Sequence, residues 1–580
     1  MRNQQIARIF REVSEILEIK GENPFRIRAY QRAAQNIENF TRDITDIAER
    51  EELEKLPGIG KDMAIKIREI LETGTLRQLE HLRREIPDSL VAFLSIPNLG
   101  PKTARLLFDE LGIKDIDKLE QMARDHKLQD LHGIKAKTEE NILKGIEIWR
   151  KGQERIPLGT AVPLSEAIID RLKDATTPVE RITVAGSVRR QRESIRDIDI
   201  LTVSLEPELV METFVNLPQV GEILAKGTTK SSIRTREGVQ VDLRVVDSRC
   251  FGAALCYFTG SKAHNIRVRD LAVRRGLKVN EYGVFQNDKW IAGKEEEEVY
   301  RAIGLPYIPP ELREDRGEIE AGQRGDLPTL IAPSDIRGDL HVHSKYSDGT
   351  ATLSEIAEKA RQMGLEWVGV CDHSPSLKIA RGTAIDHLKG KIEEVRRWNE
   401  GNGNVKLLCG TEVDILSDGR LDYPDEVLAE LDLVIAAIHS GFKQDEESMT
   451  QRLISAMESP YTHGIAHPTG RVFGEREGYR VDMERILESA KQTGTFMEIN
   501  AFPKRLDLND IYSRSAKDKG ILLGIGTDAH ILDQMEYLDL GLAVARRGWL
   551  EKHNLLNTFS FEELISHLKI GKVSGASSPN

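Results

Sequence analysis

Hydrophobic positions along the chain follow three successive patterns. In the first 150 residues they recur at helical spacing, as in IARIFREVSEILEI from Ile6, which predicts short amphipathic helices. From about Arg155 the period shortens. RITVAGSVRR from Arg181, DIDILTVSL from Asp197 and VQVDLRVVD from Val239 are rich in Val, Ile and Thr and predict strands. Past residue 336, strand-like runs such as LEWVGVCDH, LVIAAIHS, TFMEIN and ILLGIGTDAH alternate with helical stretches. That alternation predicts a barrel-like or doubly wound β/α domain. Between these regions, PPELREDRGEIEAGQRGDLPTLIAPSD is polar and carries Pro and Gly, and it reads as a linker over 316–335.

Three segments in the helical region share one form: an apolar start, a turn, then a helix with Lys or Arg near its beginning. They are LPGIGKDMAIKIREIL from Leu56, IPNLGPKTARLLFDEL from Ile96 and the weaker LHGIKAKTEENILKGI from Leu131. A tight glycine turn leading into a helix exposes backbone N–H groups at the positive end of the helix dipole. Such a turn, built on Gly58 and Gly60 or on Gly100, can grip a DNA phosphate without reading sequence. Lys61 and Lys102 would add charge. A plain αα-hairpin explains one copy equally well; two good copies favour non-specific DNA binding.

The chain has 580 residues, too many for one ordinary core, so several domains are expected. No apolar run approaches membrane-spanning length, and the N-terminus lacks a signal-peptide core. The expectation is a cytoplasmic protein without a membrane partner. The four cysteines form no C-x-x-C pair and read as reduced buried thiols. Net charge is −12, which at first argues against DNA. Residues 1–320 hold 52 Lys+Arg against 54 Asp+Glu, and residues 321–580 hold 30 against 40. The acidic excess therefore lies in the β/α half, and charge neither supports nor excludes DNA.

In RITVAGSVRRQRESIRDIDILTVS a strand leads to Gly186-Ser187, then basic residues, then Asp197 and Asp199 at i and i+2 on one strand face. Asp242 lies on a further strand. Three carboxylates converging from adjacent strands make a site for two hard divalent ions. A D-x-D alone is weak, but the ordered set resembles the nucleotidyltransferase superfamily. The segment YFTGSKAHNIRVRDLAVRRGLKVNEYGVF, Tyr257 to Phe285, narrows this to the family X DNA polymerases, whose members resemble DNA polymerase beta.

The resemblance implies that Asp197, Asp199 and Asp242 are catalytic and hold two Mg²⁺ or Mn²⁺ ions. Gly186, Ser187 and Arg190 would bind the triphosphate. Tyr257, Phe258 and Gly260 would pack on the sugar, and Asn265 and Arg269 would touch the nascent pair or template. Glu281 and Tyr282 belong to the NEYG run and are expected near DNA. Lys66 takes the position of a Schiff-base lysine that releases 5′-deoxyribose phosphate, although a solvated helix lysine is the competing reading. Lys262, Gln240, Asp62 and Phe25 depart from the family pattern.

The second half begins with GDLHVHSKYSDGT, in which His341 and His343 are one residue apart and Asp348 follows. His373, Glu412, His439, His467, Asp528 and His530 come next, nearly all at the ends of strand-like runs. Strand carboxyl ends of a β/α barrel share one mouth, which favours a barrel. Six nitrogen and three oxygen ligands exceed what one ion needs and suggest two or three. His387 and His463 fall outside the pattern and read as structural. The order HxH…DH…E…H…H…DxH resembles the PHP domain, usually a distorted seven-stranded barrel with a trinuclear site. The resemblance implies metal-assisted hydrolysis at phosphorus with Mn²⁺, Zn²⁺ or Fe²⁺. Lys345 and Arg381 are candidate phosphate contacts.

A family X polymerase joined to a PHP domain is the arrangement of bacterial and archaeal PolX. It implies gap filling in base-excision repair, a 3′-to-5′ exonuclease and cleavage at abasic sites, acting on gapped or primed double-stranded DNA and deoxynucleoside triphosphates, as a monomer. An enzyme with only one working site is the alternative. The fold class expected is multidomain α and α+β. Its domains are a lyase-like helix-hairpin-helix domain over 1–80, a second helix-hairpin-helix region over 81–150, a nucleotidyltransferase palm over 151–245, a thumb over 246–315, the linker, and a PHP barrel over 336–575.

Overall fold

The computed structural model describes residues 2–38, 44–56, 58–86, 93, 96, 99–131, 134–152, 155–174, 178–401, 405–473, 476 and 478–570. They form two units. One comprises residues 1–156 with the short segments 220–222 and 234–240; the other comprises 157–219, 223–233 and 241–580. No helix among the described residues is long and apolar enough to cross a membrane, and all four cysteines are free and buried.

The first unit is helical. Its longer helices are Arg2–Ile19, Pro24–Glu38, Lys61–Thr73, Arg77–Glu85, Pro101–Leu111, Ile116–Arg124 and Ala136–Gly152. Each short helix has one apolar stripe and must bury it on a neighbour. The result is one continuous core from Ile6 to Ile146, so the expected regions 1–80 and 81–150 share a core rather than having one each. Phe10 meets Tyr30 edge to face inside it, with centroids 5.6 Å apart. Gly60 and Gly100 cap the starts of helices Lys61–Thr73 and Pro101–Leu111, the second with Pro101 in the first turn. Pro57, Pro97, Asn98, His132 and Gly133 of the hairpin segments lie outside the described residues.

In the palm region, strands β1 (Val179–Val184), β2 (Asp197–Ser204), β3 (Val220–Lys226), β4 (Lys230–Thr235) and β5 (Gln240–Val245) form a sheet in the order β1-β2-β5-β4-β3. The thumb follows, with helices Phe251–Thr259 and Lys262–Arg274 and an antiparallel meander of β6 (Leu277–Asn280), β7 (Gly283–Gln286) and β8 (Lys289–Ala292). Val284, Tyr300 and Ile308 centre its core.

Residues 316–335 are not a free linker. Helix Glu318–Arg324 sends Ile319 and Ala321 into the thumb core. Its polarity misleads because one of its carboxylates, Glu318, is fully buried and satisfied. Glu318 accepts from the backbone N–H groups of Asp315 and Arg316 and lies 2.7 Å from His264 Nδ1. Just upstream, the fully buried Arg313 pairs with Glu296 at 2.7 Å.

The barrel strands are β9 (Gly338–Val342), β10 (Trp367–His373), β11 (Lys406–Asp414), β12 (Leu433–Ala437), β13 (Gly464–Ile465), β14 (Phe496–Asn500) and β15 (Leu523–Gly526). They pair in sequence order and every neighbour is parallel. The ends approach closure: His343 N donates to Ala529 O at 2.8 Å, and Asp528 N to His341 O at 2.8 Å. Every residue of β10 is buried, as covered parallel strands require. Trp367 anchors the barrel floor, its indole N–H donating to Phe559 O at 2.9 Å. Gly338 packs flat on that indole; a Cβ there would lie 2.1 Å from a ring carbon.

Truncating this fully buried ring should therefore be costly. Trp367→Ala is expected to destabilise the barrel by about 3–5 kcal/mol, read from its denaturant midpoint. A loss well under that range would show that the floor repacks.

Candidate active sites

Strand β1 runs into the short helix Gly186–Arg189. Gly186 has φ +59°, and a Cβ on it would sit 2.3 Å from Asp199 Oδ2, so this turn packs directly on the carboxylate. Asp197 and Asp199 lie on one face of β2, and Asp242 is on the adjacent β5. Lys230 Nζ is 3.7 Å from Asp242 Oδ2. Burial, then the charges of Asp197 and Asp242, push the Asp199 carboxyl up to about 7. Three carboxylates this closely coupled form an oxygen donor set that fits divalent cations. Arg244 opposes the shift. The sequence reading missed it, although the strand period places it on the same face as Asp242.

The proposed nucleotide residues cluster beside this set. Arg190 Nε is 3.0 Å from Glu314 Oε1, and Arg190 also donates to Thr259 O. Gly260 abuts the same guanidinium. Tyr257 and Phe258 meet edge to face at 5.1 Å, and Arg244 lies 4.4 Å from the Phe258 ring centroid. Asn265 Nδ2 donates to Tyr257 O at 2.7 Å, and Arg269 Nε to Asn265 O at 3.3 Å. Ser187 lies in the short helix, while Glu281 and Tyr282 occupy the β6–β7 turn, with Tyr282 exposed.

In the helical unit, Gly58, Gly60 and Gly100 are exposed, as are Lys61 and Lys102, and no side chain caps either helix start. Lys66 pairs with Asp62 and sits 5.2 Å from the Tyr30 ring centroid.

The barrel mouth gathers the histidines. Ligand atoms of His341, His343, Glu412 and Asp528 lie within 4.8 Å of one another; so do those of His343, Asp348, His373 and His530, and those of His373, Glu412 and His439. His343 and His373 each join two groups, as does Glu412. His341 Nε2 is 3.0 Å from His343 Nε2, and His343 Nε2 is 3.0 Å from Asp528 Oδ1. His373 Nδ1 is 2.9 Å from Glu412 Oε2, yet both atoms are buried without a hydrogen bond. His343 Nδ1 is likewise unpaired. Facing lone pairs without protons between them fit metal cations. His467 stays outside the three groups: its Nε2 is 2.7 Å from Glu412 Oε1 and its Nδ1 is buried and unpaired.

The surroundings tune these donors. Burial pushes His343 down to about 3, helped by His373 and His530, which keeps it a neutral donor. Burial and Arg505 push His467 down to about 4. Burial also opposes charge on His439, but Glu412 and Asp414 raise it to about 10. Two supports escaped the sequence reading: Glu498, 2.7 Å from His341 Nδ1, and Asp414, 2.7 Å from His439 Nδ1. Only the M-E-I-N alternation of β14 hinted at Glu498. His463 accepts from Val434 N and His387 is exposed, as structural residues would be. Lys345 and Arg381 are exposed.

Comparison with known proteins fits this anatomy. Family models match at residues 1–76 (helix-hairpin-helix domain), 90–147 (SAM-like helix-hairpin-helix tandem), 254–314 (DNA polymerase beta thumb) and 339–502 (PHP domain). The DNA polymerase/3'-5' exonuclease PolX of Bacillus subtilis (strain 168) is 38% identical over 98% of this chain and 100% of its own. Rattus norvegicus DNA polymerase lambda is 25% identical over 54% of this chain and 56% of its own. Probable phosphatase TTE1963 of Caldanaerobacter subterraneus subsp. tengcongensis is 31% identical over 38% of this chain and 86% of its own. A polymerase-beta-type thumb, helix-hairpin-helix domains and a PHP barrel in one chain define a DNA polymerase with a PHP domain. The chain belongs to the PolX family of such polymerases.

Three outcomes follow from this geometry. Without a cation, Asp199 stays protonated below about pH 7, and binding an ion must expel that proton. The Mg²⁺ concentration giving half-maximal nucleotide incorporation should rise about tenfold per pH unit below that point; a flat profile from pH 8 to 6 would show Asp199 ionised throughout. Because this carboxyl is raised, it stabilises the cation-free fold fully below its unfolded value near 4, and that gain is lost as pH rises through about 7. Glu498→Gln, which weakens the hold on His341, should lower metal content or barrel activity by about 10–100-fold, measured by metal analysis of the purified protein.

Proposed function

We propose that this PolX chain fills short gaps in DNA during repair by two-metal nucleotidyl transfer and trims 3′ ends at a separate hydrolytic centre in the barrel. The observation that supports the reading is the coexistence of two candidate donor sets of different kind: coupled carboxylates in the palm, and imidazoles with carboxylates in the barrel. The name of the Bacillus subtilis relative joins the same two activities, and a relative named as a phosphatase matches only about the barrel's share of the chain.

Mg²⁺ or Mn²⁺ held by Asp197, Asp199 and Asp242 would activate the primer 3′-hydroxyl and neutralise the departing pyrophosphate. Gly186, Ser187 and Arg190 hold the triphosphate in line with that hydroxyl. Tyr257, Phe258 and Gly260 bound the sugar and leave little room for a 2′-hydroxyl. Asn265 and Arg269 line the nascent pair. The open starts of helices Lys61–Thr73 and Pro101–Leu111, with Lys61 and Lys102, grip backbone phosphates of gapped or primed duplex. In the barrel, two or three ions of Mn²⁺, Zn²⁺ or Fe²⁺ would polarise the phosphodiester and supply a nucleophile at neutral pH. His341, His343, His373, His439, His530, Asp348, Glu412 and Asp528 hold them, with His467 fixed on Glu412. Asp414 accepts a hydrogen bond from His439 Nδ1, leaving Nε2 turned to the centre. The same centre would cut at abasic sites. The chain acts as a cytoplasmic monomer.

Paired substitutions test this. Removing several kcal/mol of charge stabilisation corresponds to a loss of about 10³-fold or more. The double variant Asp197→Ala/Asp199→Ala should lose that much gap filling and keep 3′-end hydrolysis; His341→Ala should do the reverse. Exonuclease activity intact in His341→Ala would refute the barrel assignment.

A further inference from the structure

Four arginines and two carboxylates meet in a cluster that neither donor set uses. Arg190 and Arg192 follow the palm's Gly186-Ser187 turn. Glu314 and Arg316 lie at the end of the thumb. Asp510 begins helix Asp510–Asp518 and Arg547 ends helix Leu538–Arg547, both in the barrel. Glu314 Oε1 is 3.0 Å from Arg190 Nε and 3.1 Å from Arg547 Nη1, and its Oε2 is 3.5 Å from Arg192 Nη1. Asp510 Oδ2 accepts from Arg547 Nη2 at 2.7 Å and from Arg316 Nη1 at 2.8 Å. Arg547 Nη1 also donates to the Arg190 carbonyl at 2.6 Å. One barrel guanidinium thus holds both the backbone of Arg190 and the carboxylate that Arg190 leans on.

The charges are unequal: four guanidiniums converge on two carboxylates. Glu314, Asp510 and Arg547 are buried, where excess charge is expensive unless a counter-ion completes it. The excess lies under the turn assigned to the triphosphate. Glu314 is shared, so its partners compete. With Arg547 in place its charge is divided. Without Arg547 it is released to Arg190 and weakens that residue's pull on phosphate.

We propose that Arg547, anchored by Asp510, is a positioning residue that sets Arg190 for the incoming triphosphate, which makes the barrel part of the polymerase site. This rests on the assignment of Arg190 to the triphosphate under Proposed function.

The test is steady-state gap filling by the full-length protein, with KM for the nucleotide and kcat followed separately and thermal unfolding recorded. Losing one charge-assisted contact, Arg547→Met should raise KM about tenfold with kcat changed less than about twofold. Arg547→Met/Glu314→Gln should recover most of that loss, because no carboxylate remains to capture Arg190. In an Arg190→Ala background, Arg547→Met should add nothing to KM. A merely structural Arg547 would lower kcat and melting temperature together and remain additive with Arg190→Ala. If Arg547→Met does not fold, Arg547→Lys keeps the charge, loses the double contact and should raise KM less, in the same direction. An unchanged KM in the folded Arg547 variant overturns the inference. An unchanged KM in Arg190→Ala overturns the assignment of Arg190 instead.

Discussion

Glu412 lies within 3.6 Å of five imidazoles, those of His341, His343, His373, His439 and His467. A carboxylate this deeply buried survives only if it is paired, and its neighbours hold it well below the usual carboxylate range even though burial opposes that. The rest of the barrel follows from the need to assemble that ring. The partners come from four strands or the loops just after them, β9 (His341 and His343), β10, β12 and β13, so these strands must deliver their carboxyl ends to one side. Only an all-parallel arrangement does this. The register does so residue by residue, setting His373 beside Glu412 across β10 and β11. Beneath it, the buried Lys391 Nζ pairs with Asp372 at 2.6 Å and caps the carbonyls of Val370 and Gly410, which fixes the two central strands that carry the ring.

The palm meets a different constraint. Its carboxylates repel one another, stay half-buried and lean on few cations, so Asp199 drifts upward rather than downward. Oxygen-only, partly open and self-repelling donors suit hard ions that arrive with substrate. Closed, mixed nitrogen and oxygen donors suit ions that stay resident. The two candidate donor sets therefore differ in chemistry, and each suits a different class of ion.

Much of this was legible along the chain wherever a local period carried it. Asp197 and Asp199 share a face because strands repeat every two residues, and most of the candidate barrel ligands could be read because they end apolar runs. What was not legible depends on partners distant in sequence. Glu498 meets His341 across 157 residues. Lys391 falls on the apolar face of its helix with Leu388, Ile392 and Val395, but its charge alone would place it in solvent. The segment 316–335 looked like a linker because its charges appear solvated until His264 and the backbone of its own turn enclose Glu318. His467 has the residue type and position of a ligand, and its Nε2 lies 2.7 Å from Glu412 Oε1, a partner its place in the sequence does not announce.

The same reasoning explains why the barrel half can be acidic overall and still carry a cationic cluster at its edge. A net charge sums groups that never meet. The −10 balance of residues 321–580 collects surface carboxylates with those of the barrel mouth, whereas Arg547 reaches Glu314 of the thumb and the backbone of Arg190 in the palm. A buried network of shared charge pairs at that junction disfavours a barrel that merely trails behind the polymerase. It favours one whose helix Leu538–Arg547 is held by the residues that surround the Gly186-Ser187 turn, with charge pairs adding to the apolar contact that Trp549 makes with the thumb core.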